Sequence, residues 1–94
     1  PTYTGHLAAG LLALARDGEP GVHHLAGAGR CSWCDLAAAT FAEAGVDCRA
    51  EPTTTAEFPR PAPRPAWSVL GSERPGAVTL PPWRDGLRAY LAER

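Results

Sequence analysis

Apolar residues recur along the first part of the chain at helical spacing. Leu7, Leu11 and Leu14 stand at i, i+4, i+7 with Ala8, Leu12 and Ala15 beside them, which predicts a helix over about residues 4–17. Thr2 or Thr4 supplies an N-cap of the right chemistry. Asp17-Gly-Glu-Pro-Gly21 ends the helix, with Gly and Pro where termination favours them. Residues 22–26 read as a short strand, and Gly27-Ala-Gly29 as a tight turn. Ser32 caps a second helix, with Asp35 three residues on as a weaker form of the capping box. Leu36, Thr40, Phe41 and Ala44 form its buried face, and Gly45 takes the left-handed position that ends it. Trp33, like Trp83 and Tyr90, lies on an apolar helical face and reads as packing.

Residues 46–51 alternate apolar and polar, which predicts a strand with one wet face and Cys48 in the core. Thr54-x-x-Glu57 can cap a single helical turn. Residues 58–65 then carry proline at every second position, so this run is extended, close to polyproline II, and cannot donate to a sheet ladder. Residues 66–70 read as a short extended segment. A last helix begins near Pro82, with Trp83, Leu87, Tyr90 and Leu91 as its apolar face and Gly86 weakening it by about 1 kcal/mol relative to Ala. The predicted class is α/β, in the order α-β-α-β-extended-α.

Composition changes this picture in two ways. Of the 94 residues, 45% are apolar, but eighteen are Ala and none is Ile or Met. A chain this short buries only roughly 60–65% of its unfolded surface, so a core built from alanine is thin and should lean on a partner domain. The chain opens on Pro1, not Met, which implies that its start lies upstream. The net charge is −1 with no basic run, which gives nucleic-acid binding no support. No stretch reaches the roughly 18 apolar residues that span a bilayer. An odd number of cysteines, three, makes a disulfide framework a poor reading and a reducing cytoplasm the default.

Three motifs could carry chemistry. Gly27-Ala-Gly-Arg-Cys-Ser32 approaches the dinucleotide fingerprint, in which backbone amides and a helix N-terminus hold a pyrophosphate, and Glu51 follows where an acid would reach the ribose. Ser32 in place of the third glycine and the histidine pair in the preceding segment favour an ordinary turn. Cys31-Ser-Trp-Cys34 at a helix start could be a redox pair or, with His23 or His24, a zinc site. Adjacent histidines in a strand face opposite ways, so at most one could join the metal; small apolar fillers is the plainer role for both thiols. Tyr90 and Arg94 mimic the spacing of a Tyr-x-x-x-Lys pair, but the chain has no lysine, and the pair is rejected as catalytic.

The stretches Pro1-Thr-Tyr-Thr-Gly-His-Leu-Ala, Val22-His-His-Leu-Ala-Gly27, Arg64-Pro-Ala-Trp-Ser-Val-Leu70 and Leu80-Pro-Pro-Trp-Arg-Asp-Gly-Leu87 resemble the C-terminal third of the dTDP-4-dehydrorhamnose reductases. That family belongs to the extended short-chain dehydrogenases. The resemblance implies that residues 1–94 are a C-terminal substrate-binding portion, with the N-terminal NAD(P)-binding Rossmann domain absent from this chain. It implies a parent that reduces C4 of dTDP-4-dehydro-L-rhamnose with NADPH or NADH, its Tyr-x-x-x-Lys pair and glycine-rich loop lying upstream. The piece by itself is then inactive and holds no cofactor. The implied partners are the dTDP-sugar and the missing Rossmann domain, with a homodimer as the parent's candidate assembly. Arg64 is the candidate for gripping a diphosphate, which arginine does through paired hydrogen bonds. Trp67 is the candidate for stacking on a thymine or sugar ring. Gly71 departs from the family, which usually places an acid there. The alternatives are a non-catalytic sugar-nucleotide-binding or regulatory domain, and a thiol or zinc protein built on Cys31 and Cys34.

Overall fold

Three helices form where the helical spacing places them. A computed structural model describes all residues 1–94: α1 spans Thr4–Asp17, α2 Trp33–Ala44 and α3 Trp83–Ala92. The capping box of α2 is complete. Ser32 Oγ accepts from Asp35 N–H at 3.0 Å, and Asp35 Oδ2 accepts from Ser32 N–H at 2.8 Å. Gly45 closes the same helix at φ 65°, ψ 29°, the left-handed cap that glycine adopts without cost. The helical turn at Thr54 also forms, with Thr54 O accepting from Glu57 and Phe58 N–H. Neither Thr2 nor Thr4 caps α1. Its N-cap is Tyr3, and Thr2 Oγ1 instead accepts from Gly27 N–H at 2.9 Å.

The two expected strands do not form, so the α-β-α-β-extended-α order is corrected to three helices joined by irregular chain. Residues 22–26 are irregular and find no neighbouring strand. A strand exists only through the ladder it shares, and this chain offers no second run of free amides and carbonyls beside it. Residues 46–51 are broken at the start, because Cys48 N–H turns back to Val46 O at 2.9 Å, an i→i+2 turn. Cys48 is exposed, not core. Trp33 is also no packing residue, being 82% exposed, and Tyr90 is half exposed on the outer side of α3.

What joins the helices is a small knot of backbone around Ala28. Its N–H donates to Pro81 O and its carbonyl accepts from Trp83 N–H, both at 3.0 Å, a single parallel bridge between the Gly27–Gly29 turn and the entry to α3. Trp83 is buried there, and Gly27 and Gly29 are the residues that let it approach. Leu80 is buried against Gly10 of α1, and Gly86 is buried against Tyr3. Arg88 bonds Glu43 at 2.9 Å, linking α3 to α2.

The result is an open slab. A compact chain of this length has a radius of gyration of about 12 Å. Here it is 15.9 Å, with extents of 43 × 34 × 20 Å. Only five residues are buried, two of them glycines and one an alanine, so the core is thin.

Helix propensity alone says that Gly86→Ala should stabilise α3 by about 1 kcal/mol. The packing says the reverse. A Cβ on Gly86 would lie 2.7 Å from Tyr3 Cβ, an atom held to its backbone. Gly86→Ala is therefore expected to destabilise by roughly 1–3 kcal/mol, and a drop in the urea midpoint measures it.

Candidate functional site

The Gly27–Gly29 turn forms one wall of a cavity of about 170 Å³. The other walls are the end of the proline segment, residues 70–72, and the run 78–80 leading into α3. His24 lines the same cavity and bonds across it: its Nδ1 lies 2.8 Å from Gly71 O. His23 turns the other way, with Nε2 2.6 Å from Glu19 O. The two adjacent histidines therefore bond different parts of the chain, although no strand forms here.

Arg64 and Trp67 lie on the proline segment, and both are exposed. Arg64 makes no ion pair or hydrogen bond, so its five donors are free for an anion. Trp67 is 63% exposed and lies under the guanidinium of Arg30, whose Cζ is 5.5 Å from the ring centroid. That distance is within the reach of a cation–π contact. Arg30 was not singled out from the sequence, and His24 was weighed only as a possible zinc ligand. Neither carries a periodic signal; each becomes visible only when the fold brings it against a segment some forty positions away.

The near-fingerprint at Gly27–Ser32 does not fit a dinucleotide. No strand precedes it. The N-terminus of α2, where a pyrophosphate would sit, already holds the Asp35 carboxylate, which accepts from Ser32 N–H and Ser32 Oγ at 2.8 Å each. The Asp35 carboxyl is lowered from its ordinary 3.8, first by the Ser32 backbone bond, then by the Ser32 hydroxyl, with a further contribution from Arg84. A fixed negative charge at this spot repels phosphate.

The cysteines form no metal site: no three His, Cys, Asp or Glu side chains converge anywhere in the chain. All three thiols are free. Cys31 and Cys34 are half-buried around the start of α2, in keeping with small fillers. No helix is long and apolar enough to cross a membrane.

Known proteins match the chain along its whole length. The family model of the RmlD substrate binding domain matches residues 1–94. A Streptomyces antibioticus protein named "Probable dTDP-4,6-dihydroxy-2-methyloxan-3-one 4-ketoreductase" is 47% identical over 95 residues, covering 94% of this chain and 32% of that protein. The dTDP-4-dehydrorhamnose reductase of Mycolicibacterium smegmatis is 44% identical over 97 residues, covering 98% of this chain and 30% of its own length. The spore coat polysaccharide biosynthesis protein SpsK of Bacillus subtilis is 38% identical over 96 residues, covering 100% and 34%. The chain thus spans about one third of the length of the curated relatives it matches. No solved structure matches it.

The capping box gives a pH prediction. A carboxyl whose folded pKa is depressed contributes stability above its unfolded value and loses it as pH falls through the folded value. Wild type should therefore lose more stability than Asp35→Asn on acidification from pH 3.8 downward. Urea melts at stepped pH values read the difference. At neutral pH Ser32→Ala should cost about 1 kcal/mol.

Proposed function

Because the chain belongs to the RmlD substrate-binding domain family, we propose that it is the C-terminal, substrate-binding portion of a dTDP-4-dehydrorhamnose reductase. The observation that carries this reading is the match to reductases of that name over 98% of the chain at 44% identity. The parent would reduce the C4 ketone of dTDP-4-dehydro-L-rhamnose to dTDP-L-rhamnose in the cytoplasm, supplying a precursor of cell-surface polysaccharide.

Within that enzyme these residues bind and orient; they do not perform the chemistry. The chain has no lysine, hence no Tyr-x-x-x-Lys pair. The Gly27–Ser32 turn is unsuited to a dinucleotide, so NADPH or NADH would be held by the remainder of the parent. Arg64 would grip the diphosphate, its planar fork matching two phosphate oxygens. Trp67, three residues on, would stack on the thymine or sugar ring. The open architecture supports the same reading. Leu11, Leu12, Val22 and Trp33 are exposed on a slab with almost no core. They offer the apolar surface that a Rossmann domain would cover, and the unpaired segment at 22–26 offers an edge for its sheet. Neither the non-catalytic module nor the thiol or zinc protein gains an observation.

The test is NADPH oxidation by the full-length gene product with dTDP-4-dehydro-L-rhamnose. Turnover is expected; its absence with both NADPH and NADH would sink the reading. Arg64→Ala should raise KM by about tenfold or more, because a hydrogen bond to a charged group contributes roughly 1.5–3 kcal/mol. The 94-residue piece alone should show no turnover.

A further inference from the structure

Residues 51–72 form a strap in which every side chain is exposed, and five of them are proline. Its internal bonds are confined to the turn at Thr53–Phe58. Two side-chain contacts tie it to the rest of the molecule. One is the His24 Nδ1 bond to Gly71 O at 2.8 Å; the other is the Arg30 guanidinium over the Trp67 ring. Both anchoring residues belong to the short stretch that carries the Gly27–Gly29 wall of the cavity. Both hold the same end of the strap, the end that supplies residues 70–72 as the opposite wall.

We infer that His24 and Arg30 are positioning residues: together they latch the proline strap shut across the cavity and hold the Trp67 ring in place. Proline has few unfolded conformations to lose, so closing this strap costs less entropy than closing a flexible loop. Two weak contacts are then enough to hold it. Neither needs to touch a ligand. Arg30 acts through Trp67, and His24 acts through the Gly71 carbonyl. The consequence for substrate rests on the sugar-nucleotide reading above; the latch itself does not.

The test uses the full-length gene product labelled with 5-fluorotryptophan, with the Trp67 resonance assigned by its loss in Trp67→Phe. Arg30→Ala should move that resonance toward the position of free indole, and Arg30→Lys should restore it, since an ammonium also sits over the ring. An exposed cation–π contact of about 0.5–1 kcal/mol corresponds to an open-to-closed ratio raised about 2- to 5-fold. KM for dTDP-4-dehydro-L-rhamnose should rise in proportion to the fall in the closed fraction read from the resonance, by at most the same factor. The combined His24→Ala and Arg30→Ala variant should raise it further, with the change in KM and not in kcat. A Trp67 resonance indifferent to Arg30→Ala overturns the latch. A resonance that moves while KM stays constant overturns its role in binding. If wild type turns over no dTDP-sugar, the functional reading has failed, and the resonance alone decides the latch.

Discussion

Two hydrogen bonds on Ala28 are the constraint on which the rest of this structure depends. They join the turn after residue 26 to the entry of α3, and Trp83, Leu80 and Gly86 are buried on the chain that this bridge fixes. Trp83 is held over Gly27 and Gly29 because its own N–H is one of the two bonds. Leu80, two residues ahead of the bridge at Pro82, is thereby set against Gly10 of α1. Gly86, one turn into α3, meets Tyr3. The small residues matter here as absences of bulk. Gly10, Gly27 and Gly86 each sit where a Cβ would lie within 2.7 Å of a neighbour. With so little apolar volume to bury, close approach of neighbouring atoms to bare glycine backbone replaces interdigitated side chains as the source of contact.

The same knot explains how the chain termini are held. Tyr3 donates to the Glu93 carboxylate, which raises the Tyr3 pKa above 10.0, and its ring stands edge-on to His6 at 5.0 Å. Both ends of the chain therefore converge on α3. By contrast the segment from Glu51 to Ser72 is tied at one end only. That asymmetry divides the molecule into a body, fixed by backbone bonds and glycine contacts, and a strap, fixed by side chains alone.

How much of this was legible in the sequence follows from the range of each signal. Helices are specified locally. The i, i+4, i+7 stripe of α1, the Ser32–Asp35 box and Gly45 each involve residues within one or two turns, and each helix forms where these signals place it. Strands are not local objects. The alternation over 46–51 says which face could be dry, but dryness needs a second layer, and here Val46 and Cys48 face solvent. Trp33 fails for the same reason: helical spacing marked an apolar face, and nothing in these 94 residues covers it. Gly86 shows the opposite error. Propensity counts it as a weakness, whereas the fold uses the missing side chain. At the candidate site, Arg64 and Trp67 were legible only through a motif. The Arg30 stack on Trp67 and the His24 bond to Gly71 were not legible at all, because contacts between residues some forty positions apart leave no trace in spacing.

The absence of lysine bears on the site as well as on catalysis. Every cation in this chain is a planar guanidinium, and four of the nine, Arg30, Arg60, Arg84 and Arg94, lie within 6 Å of an aromatic centroid. A guanidinium is weakly hydrated and stacks flat, so it can shield an exposed ring while keeping its edge donors free. At Trp67 this resolves a conflict. In the proposed role the ring must remain accessible to meet a planar ligand, yet an unsupported indole on a surface strap would sample many orientations. Arg30 over one face steadies the ring and leaves its remaining surface open, and the prolines on either side of Arg64 remove the backbone freedom that would undo the arrangement. Rigid chain and weak contacts together do what a packed core does elsewhere in larger domains.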